Sequence, residues 1–93
     1  MKDFVFKLYV AGQSPNSVRA LANLNVLCAK YLSGHYKIEI VDVLKEPQQA
    51  LAVGVFITPT LIKVSPAPSQ KIVGDLSQQA QVLLALGLSE RPE

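Results

Sequence analysis

Phe56 to Val64 read FITPTLIKV, a run of strand-forming side chains with Pro59 set among them between two threonines. A proline cannot donate a ladder hydrogen bond, so it argues against an ordinary central strand at that point. Thr60 to Val64 still read as a strand. Ser65-Pro66-Ala67-Pro68-Ser69 makes a turn, and Lys71-Ile72-Val73 pairs back against Leu61 to Val64 as a hairpin. What lies before and after that hairpin decides the fold.

Upstream, Phe4 to Val10 (FVFKLYV) carries one charge among β-branched and aromatic residues. That is the pattern of a strand buried on both faces of a sheet. Ser14 offers a hydroxyl to cap a helix, and Pro15 occupies the first helical position, where a missing N–H costs nothing. Apolar residues then recur at Val18, Leu21, Cys28 and Leu32, with a second row at Leu24, Leu27 and Tyr31. The spacing predicts a helix with a broad buried face, ended by Gly34. Tyr36 to Val43 reads as a second strand, parallel to the first because a crossover helix joins them.

Pro47 to Val53 predicts a short helix stopped by Gly54. After the hairpin, Asp75-Leu76-Ser77-Gln78 has capping-box spacing and leads into an apolar helical pattern from Gln79 to Leu86. The resulting order, βαβ followed by αββα, is similar to the thioredoxin fold. In that arrangement a cis-proline opens the strand that begins the terminal hairpin, and Pro59 stands at that place. An X-Pro bond prefers trans only weakly, so local geometry can hold it cis.

The composition bounds the function. Ninety-three residues, 49% hydrophobic and 17% charged, make one compact α/β domain, residues 1–93. The net charge of +2, with lysines scattered singly, gives no clustered basic face for nucleic acid. The longest apolar run, Ala50 to Ile57, is too short to span a membrane, and the N-terminus lacks a signal-peptide layout. One cysteine permits no intrachain disulfide and suits the cytoplasm.

Enzyme chemistry finds little support. A thioredoxin-type nucleophile is a thiolate at the N-terminus of the first helix, where the macrodipole lowers its pKa. Here that place is Gly12-Gln13-Ser14-Pro15-Asn16, without a cysteine. Cys28 falls at the other end of the helix on its apolar face and reads as a small core hydrophobe. A redox or glutathione-dependent enzyme using Cys28 is the competing reading. His35, the single histidine, belongs to an exposed turn, so no zinc set or serine triad can be assembled. Glu39, Asp42 and Glu46 read as solvated or helix-dipole carboxylates. No cofactor or metal site is expected.

LYVAGQSPNSVRAL (Leu8 to Leu21), VDVLKEPQ (Val41 to Gln48), TPTLIKV (Thr58 to Val64) and IVGDLS (Ile72 to Ser77), in this order, resemble the KaiB family across nearly the whole chain. The amino-terminal domain of the histidine kinase SasA is similar but differs in the first motif; a stand-alone sensory domain of that kind is a further alternative. The resemblance implies a non-enzymatic regulator that binds a KaiC-type ATPase ring, sequesters KaiA and competes with SasA, in circadian timing or a related stress-adaptation pathway. It also implies fold switching. A constant half (residues 1–46) is joined to a half that rearranges (residues 47–93), between a resting dimer or tetramer and a thioredoxin-like monomer. Basic residues implied in partner contact are Arg19, Lys45, Lys63 and Lys71. For Lys63, protection of a sheet edge is the plainer alternative. The family's second base beside Lys71 is Gln70 here, and a lysine before the TPT motif is Gly54. Its acidic tail is reduced to Ser89–Glu93, and its Gly-x-Asp becomes Ala85-Leu86-Gly87. Alanine favours a helix over glycine by about 1 kcal/mol, so Ala85 should weight the thioredoxin-like form.

Overall fold

The computed structural model describes residues 3–88. Seven elements follow in the order β1 (Phe4–Val10), α1 (Pro15–Tyr31), β2 (Tyr36–Asp42), α2 (Pro47–Ala52), β3 (Thr60–Ser65), β4 (Gln70–Val73) and α3 (Gln79–Leu86). They form one four-stranded sheet in the order β2-β1-β3-β4. β1 runs parallel to β2, from Phe4 opposite Tyr36 to Val10 opposite Asp42, and antiparallel to β3. β3 and β4 form the terminal hairpin. The Thr58–Pro59 peptide is cis, immediately before β3.

Strand alternation divides the core between the two faces of the sheet. Phe6, Leu8 and Val10 of β1 and Leu61 of β3 pack with Leu24, Leu27 and Cys28 of α1 and with Val82, Leu83 and Leu86 of α3. On the other face a smaller cluster joins Tyr9 and Val41 to Ala50 of α2 and to Val55. One face therefore carries two helices and the other a helix of six residues, of which Ala50 alone is buried.

Several local expectations shift. Val18, placed in the apolar row of α1, is exposed, while Ser17 and Ala20 are buried. Ser17 is satisfied there because its hydroxyl oxygen accepts from the Ala11 N–H at 3.1 Å and from the Ser14 hydroxyl at 2.8 Å. Ser14 therefore makes no side-chain cap. Asp75 does not box the start of α3, which begins four positions further on. Its carboxylate instead accepts from the Ser77 N–H at 3.0 Å, closing a tight turn. Lys63 lies on no sheet edge, since β3 is paired on both sides. The residue is 4% exposed, with the ammonium 5.6 Å from the centre of the Phe4 ring.

Candidate docking surface

The strand register gathers three loops at one end of the sheet. β1 and β2 finish there at Val10 and Asp42, and β3 begins there, with Thr60 opposite Tyr9. The loops are Gly12–Gln13, Leu44–Lys45 and the segment Phe56–Pro59. Asp42 fixes the first two to each other: one carboxylate oxygen accepts from the Gly12 N–H at 3.1 Å and the Leu44 N–H at 3.0 Å. This is a structural task for a carboxylate that the sequence left as solvated. Leu44 then lies close over Gly12, whose φ of +55° is a left-handed conformation that glycine adopts without strain. Gly74, leaving β4, donates its N–H to the Pro59 carbonyl at 2.9 Å and ties the hairpin to the same end.

No thiol stands at this end. Cys28 is fully buried in the core, and burial pushes its pKa up to about 12. It is held as a neutral thiol, the opposite of the activation that thiol-disulfide chemistry requires. The end is apolar instead: Leu44 is 72% exposed and Phe56 79%, with Ile57 and Leu51 of α2 also open to solvent. Side chains of this size are normally buried, and a concentration of them marks a contact surface.

The four basic residues named from the sequence do not converge. Lys45 is exposed at the rim of the apolar end. Arg19 is engaged within the chain, where its Nε lies 3.3 Å from Asp75 Oδ2 and its guanidinium also meets Asn16. Asn23 reinforces that tie by donating to the Asp75 carbonyl at 2.8 Å. Lys71 Nζ donates to the Val53 carbonyl at 3.0 Å and the Gly54 carbonyl at 3.4 Å, binding the C-terminal end of α2 to β4. Lys63 is buried. Ala85 sits within α3, beside a groove it shares with Asp75 and Ser77, and Gly87 closes that helix in a left-handed conformation. His35 is exposed, its Nδ1 3.6 Å from Asp3. Sequence reasoning missed Leu44, Phe56 and Ile57. Their apolar character was plain, but nothing in it distinguishes a buried residue from one left open beside a helix of six residues.

Among the described residues no group of three or more histidine, cysteine or carboxylate side chains is placed to hold a metal ion. No helix among them is long and apolar enough to cross a membrane. The chain resembles solved structures across almost its full length. The amino-terminal domain of Synechococcus elongatus SasA superimposes with a TM-score of 0.77 at 22% identity, covering 100% of this chain and 91% of that one. Oxidised mitochondrial thioredoxin 3 of Saccharomyces cerevisiae gives 0.73 at 19%, covering 95% and 81%. At such identities the likeness is one of fold. It defines a thioredoxin-like domain with no cysteine at the redox position.

The particular family comes from sequence. Residues 7–88 match the KaiB domain model. A circadian clock oscillator protein KaiB from Thermostichus vulcanus is 51% identical over 87 residues, 94% of this chain and 81% of that protein. The corresponding protein of Acaryochloris marina is also 51% identical, over 94% of this chain and 84% of its own length. The chain belongs to the KaiB family.

Proposed function

We propose that this chain is a non-enzymatic, cytoplasmic regulator that docks on the ring of a KaiC-type ATPase through the apolar end of its sheet. The observation that carries the proposal is the 51% identity, over 94% of the chain, to circadian clock oscillator proteins. The exposed Leu44, Phe56 and Ile57 supply desolvation energy, and Lys45 at their rim supplies orientation toward an acidic partner surface. The thioredoxin-like form is the docking form in this reading. A resting dimer or tetramer, with residues 47–93 rearranged, is its reservoir. KaiA capture and competition with a SasA-type kinase follow where those partners exist, and otherwise the same docking serves stress adaptation.

Gel filtration of the chain with the KaiC-type ATPase of the same cell, in ATP and in ADP, tests the proposal. A nucleotide-dependent complex is expected, lost on Phe56→Ser. Absence of a complex in every nucleotide condition would overturn it.

A further inference from the structure

Gly74 to Gln78 join β4 to α3, and Leu76 lies at their centre with a φ of +64°. Among the described residues other than glycine, only Ser33 shares a positive φ, at +23° in the turn after α1. The left-handed region brings the Cβ of an L-residue against the following carbonyl oxygen. That clash weighs against the conformation by roughly tenfold in an equilibrium constant. Leu76 is nonetheless 6% exposed and sits in the larger core cluster with Val82, Leu83 and Leu86 of α3. An outlier of this kind persists only where its surroundings over-determine it.

Both peptides that flank Leu76 are held. The Asp75 carbonyl, which belongs to the peptide before it, accepts from the Asn23 side chain of α1 at 2.8 Å. The Ser77 N–H, which belongs to the peptide after it, donates to Asp75 Oδ1 at 3.0 Å. The other oxygen of that carboxylate lies 3.3 Å from Arg19 Nε, and the Arg19 guanidinium also meets Asn16 one turn back along α1. Fixing two successive peptide planes fixes the φ and ψ between them. The conformation of Leu76 is thus imposed from α1, through Asn23 directly and through Arg19 by way of Asp75.

We propose that this junction is a strained catch on α3: the left-handed Leu76 favours release of the helix from the sheet, and the clasp from α1 holds it on. When the helix lifts, the junction that leads into it comes free. Leu76 then returns to an ordinary conformation, and its strain drives the opening. The two sides of this balance respond differently to salt. The ion pair lies at the surface, its side chains 55% exposed for Arg19 and 27% for Asp75, so dissolved ions screen it. The strain is a matter of backbone sterics, which salt does not touch. Ionic strength therefore weakens the clasp alone and sets how often α3 opens.

A second tie supplies the contrast. Gln79, the first residue of α3, donates its side-chain N–H to the Tyr31 hydroxyl at 2.9 Å. That bond is uncharged and lies beyond the turn, so it holds the helix without holding Leu76. Removing it should ease α3 off the sheet and leave the response to salt in place.

The catch belongs to the thioredoxin-like form and needs neither an ATPase nor a second form, so its test stands apart from ring docking. Amide hydrogen exchange of the full chain reads α3, with β1 as the reference. Leu76→Ala and Leu76→Gly remove the same core side chain save one methyl, so their difference reports the backbone. The glycine chain should exchange α3 about fivefold more slowly than the alanine chain, whereas at an ordinary φ the order reverses. Raising sodium chloride from about 0.05 M to about 0.5 M shortens the screening length about threefold. It should speed α3 exchange in the wild type by roughly threefold and leave Arg19→Gln unmoved. Tyr31→Phe should speed α3 exchange yet keep the salt response. An alanine chain that exchanges α3 no faster than the glycine chain overturns the proposal. So does a salt response that the wild type lacks, that Arg19→Gln retains or that Tyr31→Phe loses. If circular dichroism shows either chain altered at position 76 to be unfolded, the salt comparison decides alone.

Discussion

Asp75 is the residue on which the two halves of the chain meet. It is held by Arg19 and Asn23 of α1 and bends its own loop through Ser77. Hydrogen bonds from Ser77, with Arg19 adding to them, hold its carboxyl below the ordinary value of 3.8. A folded-state pKa lowered in this way stabilises the fold above the unfolded pKa, and the contribution is lost as pH falls through the folded value. Asp75→Asn should therefore weaken the fold at neutral pH, with the difference from wild type closing under acid. Urea unfolding of both chains at neutral pH and at about pH 2 checks this, and a gap undiminished in acid would contradict it. Phe56 makes the opposite case. At 79% exposure it holds little of the fold. Phe56→Ser should change stability by no more than about 0.5 kcal/mol while removing ring docking, as thermal melts and gel filtration of the same preparation would show.

Among the elements, α3 and α2 are the most revealing. α3 ends where Gly87, at a φ of +75°, donates its N–H to the Leu84 carbonyl while Leu88 donates to Leu83. A side chain at that left-handed position costs roughly 1 kcal/mol, and glycine in place of Ala85 inside the helix costs about the same. In the two-form reading proposed above, Gly87→Ala and Ala85→Gly should each lower the weight of the thioredoxin-like form, visible as lost helical signal in far-UV circular dichroism. Unchanged spectra in both would show that this helix end does not set the balance. For α2, Lys71 caps the carbonyls of Val53 and Gly54. Lys71→Met keeps the stem and removes the donor, so it should speed hydrogen exchange in residues 47–54 and leave β1 unaffected.

The elements themselves were legible because each carries local chemistry. Pro15 and Gly34 bracket α1, and Pro47 and Gly54 bracket α2. What was hidden depends on partners distant in sequence. Lys63 reads as an edge lysine until β3 is found between β1 and β4. The period and most of the phase of α1 were evident, since Leu24, Leu27, Cys28 and Leu32 are buried as their spacing predicts; only in the first turn do Val18 and Ser17 exchange roles, because the Ala11 N–H needs an acceptor. Arg19 and Lys71 look like free cations, since nothing in their neighbourhood announces a carboxylate 56 residues away or a pair of helix-end carbonyls.

The whole molecule is unevenly fastened. Among the described residues, the face bearing α1 and α3 holds thirteen buried core residues, and the face bearing α2 holds four. Local opening free energies follow buried contact density, so amides of β1 and the buried side of α1 should exchange slowest. Those of α2 should be among the fastest within the ordered elements. Exchange rates for α2 equal to those of β1 would contradict this account of the packing. β1 itself is flanked by β2 from the first half of the chain and by β3 from the second. Any rearrangement of residues 47–93 that withdraws β3 strips one side of the most buried strand in the molecule. An interconverting chain must pass through that bare-backed sheet, so crowding should divert it into aggregates, and its yield of refolded protein should fall as concentration rises.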